Sequence, residues 1–178
     1  APWHYMGGDA PKMSDTKALP PESFVYDHPL MIDCPFAEKN GLITIDMIKK
    51  YGDEIKKADF FIFNTHSYPK RDMDFKDYGS DFAAVSAEAA EWIRAELPNI
   101  KAVAIDTLSI ENIAIGKQNG FRTHKGFLDP AKGKNTVRIY EDINPAPIEG
   151  KKILKAFCTP LRIVGDACIC NIFCEIED

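Results

Sequence analysis

Asp9, His124 and Glu141 carry the side-chain types that bind a divalent cation, and each stands at the edge of an apolar run rather than inside one. Asp9 lies in the turn sequence Gly7-Gly8-Asp9-Ala10-Pro11. His124 lies in Thr123-His124-Lys125-Gly126-Phe127-Leu128, and Glu141 in Ile139-Tyr140-Glu141-Asp142-Ile143. Together with His66 they would make a mixed N/O donor set suited to Mn²⁺, Fe²⁺ or Zn²⁺. Residues so distant along the chain make one site only if the fold brings them together. Each has a plain structural alternative. Asp9 is a natural turn cap, His124 a helix-cap or satisfied core histidine, and Glu141 a carboxylate paired with an arginine. His66, in Asn64-Thr65-His66-Ser67, is a fourth candidate, as ligand or as acid/base; its alternative is a polar residue closing a strand. His28, just before Pro29, reads as a turn residue.

The elements that must position these residues alternate in type. Leu30–Cys34, Phe60–Phe63 and Ala102–Ile105 are short apolar, β-branched or aromatic runs and predict buried strands. Thr44 and Ser86 predict helix N-caps. The Ser86 helix buries Ala89, Ala90, Ile93 and Leu97 and stops at Pro98. Ser109 predicts the cap of a weaker helix that ends at Gly120. Shorter strands are expected over 136–140 and 153–157, with a long final strand over 167–176. The stretch 67–85 has no periodicity and reads as a long lid or binding loop. Strands alternating with helices predict an α/β domain whose mixed sheet is partly parallel. Parallel sheets seat ligands at the carboxyl ends of their strands, where His66 and Asp106 stand.

Length and composition narrow the classes. A chain of 178 residues, 45% hydrophobic and 28% charged, predicts one globular domain over 1–178 with a real core. A net charge of −5 with no basic stripe argues against nucleic acid as a partner. No apolar run approaches the ~20 residues of a bilayer span, so no membrane partner is expected. Five cysteines, an odd number, predict free thiols and a cytoplasmic location. Cys168, Cys170 and Cys174 share strand parity and read as small apolar packing. A metal or redox cluster is the lesser alternative, since no second pair completes a zinc site.

Taken in order, several segments resemble the cyclase-like metal-dependent hydrolases, the family of bacterial kynurenine formamidase and isatin hydrolase. Asp9-Ala10-Pro11 is similar to the Asp-Ala-Pro of that family's His-rich signature. Leu19-Pro20 through Val25 and Gly41 through Asp46 resemble the segments that follow. The run from Glu88 to Ser109 is the nearest match. His124 with Leu128 resembles the family's His-x-x-x-Leu, Glu141-Asp142-Ile143 its Glu-Asn-Leu, and Pro160 through Gly165 its final Pro-Leu-x-x-x-Gly. The resemblance implies a swivelling β/β/α fold, a homo-oligomer (dimer or tetramer), and Mn or Zn, with Fe as a third option. It also implies hydrolysis of a small amide by a metal-activated water, with Asp9, His124 and Glu141 as ligands.

The chain departs from the family where the signature is richest in histidine. Counting from Asp9, the family's His positions fall on Trp3, Gly7 and Met13, and His66 stands where a small Gly is usual. His66 is therefore the candidate substitute as metal ligand or base, beside His124. His4 lies one residue from the first lost position. Trp3 and Tyr68 are candidates for a substrate-binding wall. Relative to the family, the chain is expected to be short at its amino end. Two functions follow: an arylformamidase-type or cyclic-imide hydrolase, or a non-catalytic binding or interaction protein that keeps the fold and has lost the metal.

Overall fold

The apolar runs become the strands of one parallel sheet. The computed structural model describes residues 16–36, 40–132, 135–165 and 167–177. In chain order the strands are β1 (Val25–Tyr26), β2 (Pro29–Asp33), β3 (Leu42–Ile43), β4 (Phe60–Asn64), β5 (Ala84–Val85), β6 (Ala102–Ile105), β7 (Arg138–Tyr140), β8 (Ile153–Pro160) and β9 (Cys170–Ile176). The helices are α1 (Ile45–Lys49), α2 (Glu54–Lys57), α3 (Lys70–Met73), α4 (Phe75–Ser80), α5 (Ala87–Glu96), α6 (Ile113–Asn119) and α7 (Arg122–Leu128). Among the described residues no helix is long and apolar enough to cross a membrane.

The parallel sheet has the order β2-β4-β6-β7. Every residue of β4 and β6 is buried, as expected for central strands covered on both faces. Alternation then sorts their side chains. Ile32, Phe61, Phe63, Val103 and Ile105 face a core shared with Ile48 of α1, Ala89, Ala90 and Ile93 of α5, and Phe127 and Leu128 of α7. Phe60, Ile62, Ala102 and Ala104 face the opposite way, onto Tyr26, Ala156 and Cys158 of the antiparallel sheet β1-β8-β9. Antiparallel sheet, parallel sheet and helices thus form three layers, the β/β/α arrangement. A small parallel pair, β3 with β5, completes the strand pairing described.

Ser86 caps α5 as its sequence predicts, its hydroxyl accepting from the Ala89 amide at 3.1 Å. Ser109 does not cap α6. Asn112 does, accepting from the Ala114 amide, and Ser109 instead donates to Glu141 at 2.9 Å. The helix begins later because residues 108–111 are used to approach Glu141 and His124. The stretch 67–85 also differs from a plain loop, since it contains α3, α4 and β5. These helices are too short to show a full apolar period, which is why periodicity misses them. Arg71 of α3 donates through Nε to both carboxylate oxygens of Asp142, at 2.9 and 3.1 Å. Tyr78 of α4 donates to the same carboxylate at 2.5 Å. The segment is therefore pinned across the end of β7.

Helix α7 lies against α5 at Gly126. A Cβ there would stand 3.0 Å from the Ala90 Cβ and 3.3 Å from the Glu91 amide nitrogen. Gly126→Ala is expected to push the helices apart and lower stability by about 1–2 kcal/mol, read as a melting temperature lower by several degrees.

Candidate active site

The site forms where α7 meets the end of β7. Gly120 and Phe121 are both left-handed (φ 73° and 58°), and this double turn between α6 and α7 places His124 in the first turns of α7. Its ring is held from two sides. Nδ1 lies 2.8 Å from Glu111 Oε2, and Nε2 lies 3.6 Å from Glu141 Oε1. Glu111 is buried and also accepts the backbone amides of Thr123 and His124, at 3.3 and 3.2 Å. Glu141 accepts from Ser109 Oγ and from the Ile110 amide at 2.8 Å. Asp142, the next residue, is left-handed (φ 59°) and fixed by Arg71 and Tyr78, so the backbone beside Glu141 is anchored.

Electrostatics follow from this geometry. Burial lowers the pKa of His124, but the hydrogen bonds and negative charge of Glu111 and Glu141 outweigh it and raise the imidazole to about 9. Burial acts to raise both carboxylates, and their hydrogen bonds, chiefly from His124, bring each below the usual glutamate value. Without a metal, His124 is therefore an imidazolium between two carboxylates. Its folded pKa lies above the ~6.5 of an unfolded histidine, so its contribution to stability is complete below pH ~6.5 and fades as pH rises through about 9. We expect the metal-free protein to lose stability on the order of 3 kcal/mol across that window, with His124→Gln flattening the profile in pH-dependent urea denaturation.

A cavity of about 430 Å³ opens onto the pair. Leu19, Phe24 and Ile172 are apolar parts of its wall, Arg138 brings positive charge to it, and Arg71 enters it paired with Asp142. Arg138 is itself oriented, its Nε donating to the Tyr26 hydroxyl at 3.2 Å and its guanidinium lying over the Phe24 ring.

The four candidate ligands fare differently. His124 and Glu141 meet at one end of this cavity. Asp9 and the wall candidate Trp3 lie outside the described residues. His66 is carried elsewhere. Its own left-handed backbone (φ 60°) turns the ring to the ends of β2 and β4, where Nε2 is 2.6 Å from Asp33 and Nδ1 is 3.7 Å from Glu149. It does not line the cavity. Tyr68 is not among the lining residues either, though its ring packs 6.0 Å from the Arg71 guanidinium that is. Asp106 is fully buried and structural. It accepts from the Thr65 amide and hydroxyl and from the Ser67 and Tyr68 amides. Glu111 is the partner that sequence reasoning missed, because nothing in residues 108–112 marks it apart from a helical surface glutamate.

Among the described residues no three His, Cys, Asp or Glu side chains converge as a metal-binding set. The two that do approach fit a shared ion. Donors bound ~2.1 Å from one cation at a tetrahedral angle stand roughly 3.4 Å apart, close to the 3.6 Å observed. A carboxylate on the remote nitrogen of a histidine is also the usual outer support of a metal-binding imidazole.

Comparison with known proteins agrees with this architecture. The profile of the Cyclase family, described as "Putative cyclase", matches residues 1–112. The chain belongs to the cyclase family. Solved structures of the same fold include isatin hydrolase A from Labrenzia aggregata bound to benzyl benzoate. It is 17% identical, with a TM-score of 0.77 over 99% of this chain and 71% of that one. An isatin hydrolase bound to the product analogue thioisatinate is 18% identical, with a TM-score of 0.71 over 92% of this chain and 64% of that one. Isatin hydrolase A from Ralstonia solanacearum is 18% identical, with a TM-score of 0.64 over 93% and 65%. This cyclase-family chain thus spans about two thirds of the length of these proteins. No curated protein matches it significantly by sequence.

Proposed function

We propose that this cyclase-family protein hydrolyses the C–N bond of a small cyclic amide, with a divalent cation, Mn²⁺ or Zn²⁺, held by His124, Glu141 and Asp9. The observation that carries this reading is the His124–Glu141 pair, backed by buried Glu111 and facing a cavity of substrate size. The naming of the structural neighbours as isatin hydrolases supports a bicyclic lactam as the substrate class.

A divalent ion held there would supply a strongly acidified water at neutral pH and would polarise the amide carbonyl. The chain's own residues do the rest. Glu111 would keep the proton on Nδ1 of His124 once Nε2 loses its own, leaving the Nε2 lone pair for an ion shared with Glu141. Ser109 and the Ile110 amide fix the Glu141 carboxylate. Phe24, Leu19 and Ile172 offer apolar surface to a flat ring and exclude water from it. Arg138 places positive charge at the cavity, where ring opening would generate a carboxylate, whereas the charge of Arg71 is met by Asp142.

The test is hydrolysis of isatin and of N-formylated arylamines by protein supplied with Mn²⁺ or Zn²⁺, followed by loss of absorbance of the intact substrate. Ring opening that disappears in Glu141→Gln supports the reading. Equal rates in the wild type and Glu141→Gln would overturn it. A second reading is favoured by the sequence at Trp3, Gly7 and Met13, where family histidines are replaced. On that reading the cavity binds a small molecule without turning it over. We also propose that the protein is a homo-oligomer, since Phe157, Ile169 and Phe173 expose apolar surface on and beside the outer face of β8 and β9. Its mass in solution by light scattering checks this.

A further inference from the structure

The wall of the cavity contains sulfur that the proposed hydrolysis does not use. Cys158 is buried on β8 and Cys170 is half-buried at the start of β9, where it lines the cavity that holds His124. The antiparallel register pairs Cys158 with Ile172 and Pro160 with Cys170, so the two cysteines are diagonal neighbours on one face of the hairpin. Cys158 sits in the core between the sheets, and Cys170 packs against that same cluster. Sequence parity alone groups Cys170 with Cys168 and Cys174. Strand pairing supplies the partner from the neighbouring strand.

We propose that Cys158 and Cys170 form a peroxide-sensitive dithiol in the cavity wall, converted reversibly to a disulfide by a hydroperoxide. The chemistry balances without any other reactant. The Cys170 thiolate attacks the outer oxygen of the hydroperoxide, forming an S–O bond and releasing an alcohol or water. The Cys158 sulfur then attacks the sulfenic sulfur of Cys170 and displaces the oxygen as water, leaving an S–S bond. Two thiols are oxidised and one peroxide is reduced. A thiol reductant reverses it.

The environment assigns the roles. The neighbouring Cys158 thiol and the Thr159 amide hold the Cys170 pKa below its ordinary value, although burial opposes them. Cys170 lines the cavity and Cys158 does not, so Cys170 is the sulfur that a small oxidant there can reach and is assigned as the attacking thiolate. Cys158 stays protonated, pushed up by the neighbouring Cys170 sulfur and by burial. Cys174 flanks Cys158 on the other diagonal, opposite Ala156, and burial raises its pKa, so it is the weaker nucleophile. Closing the bond has a consequence for the site. Diagonal Cα atoms sit ~7–8 Å apart, whereas a disulfide holds them within about 7 Å, so oxidation draws the start of β9 toward β8. Cys158 also shares its core cluster with Tyr140, the residue before Glu141.

The inference does not depend on the hydrolase reading, and its test does not use activity. The full-length protein is treated with one equivalent of hydrogen peroxide, alkylated and digested with trypsin. Cleavage after Lys155 and Arg162 places Cys158 on one peptide and Cys168, Cys170 and Cys174 on the next. The expected product is these two peptides joined, two hydrogens lighter than the separate pair and separated by dithiothreitol. Fragmentation should place the link at Cys170. Cys168→Ser and Cys174→Ser should retain the link, and Cys170→Ser should lose it. In Cys158→Ala, Cys170 should instead advance to sulfinic acid. A wild-type protein whose Cys158 remains fully alkylatable while peroxide is consumed would overturn the proposal, as would a link to Cys168 or Cys174.

Discussion

Replacing His124 with Ala is expected to cost this protein both the proposed metal site and a large part of its stability. The variant removes one of the two donors that face each other at 3.6 Å, and metal affinity should fall by more than about 100-fold. It also leaves the Glu111 and Glu141 carboxylates without the cation between them. Uncompensated buried charge costs about 3–5 kcal/mol, and the backbone amides that both carboxylates accept place the expected loss near the lower end. Glu111→Gln separates the two effects. It keeps one acceptor oxygen for the Nδ1 proton, removes the charge and turns an NH₂ group toward the Thr123 amide, so the expected result is a 10- to 100-fold loss of metal affinity with a smaller loss of stability than in His124→Ala. Metal titration followed by calorimetry, alongside urea denaturation of each variant, checks both outcomes. Equal metal affinity in the wild type and Glu111→Gln would show that Glu111 is packing rather than support.

The second large effect is expected far from any reacting atom. Asp106→Ala should destabilise the protein by roughly 4 kcal/mol, because it removes the acceptor for the Thr65 amide and hydroxyl and for the Ser67 and Tyr68 amides. These donors are turned inward at the end of β4, where the chain must reverse into α3. For a chain of this size the melting temperature should fall on the order of 10 °C. Asp106→Asn keeps one acceptor oxygen and turns an NH₂ group toward the remaining donors, so an intermediate loss is expected. Thermal unfolding measured by circular dichroism separates the three proteins. The turn also supports the site, since α3 carries Arg71, which fixes Asp142 beside Glu141. Metal affinity should therefore weaken in Asp106→Ala even where the protein remains folded.

The parallel sheet was legible in the sequence because its strands are buried on both faces. Phe60–Phe63 and Ala102–Ile105 are unbroken apolar runs that suit little else, and Ser86 with Pro98 brackets α5 by local chemistry alone. The same local rules misplaced the cap of α6. Ser109 is a good cap by type, but its hydroxyl does more by fixing Glu141, and Asn112 takes the cap instead. The site was legible in part. The pairing of His124 with Glu141 is what the resemblance to metal-dependent hydrolases implies. The support from Glu111 depends on how α6 turns into α7 through Gly120 and Phe121, which no spacing reveals. His66 stands where parallel sheets seat ligands, yet a single left-handed residue decides which way its ring points. Cys158 and Cys170 lie on different strands, so only the β8–β9 register shows that they meet.

The central claim is that His124 and Glu141 share a cation, and isothermal titration of the metal-free protein with Mn²⁺ or Zn²⁺ tests it most directly. Run at neutral pH in buffers of different ionisation enthalpy, it should give one ion per chain. Binding should release about one proton, because His124, held near pKa 9 without metal, must be deprotonated to bind. Glu141→Gln should weaken the binding by at least tenfold. An absence of saturable binding, or binding with no proton release and no response to Glu141→Gln, would contradict the account.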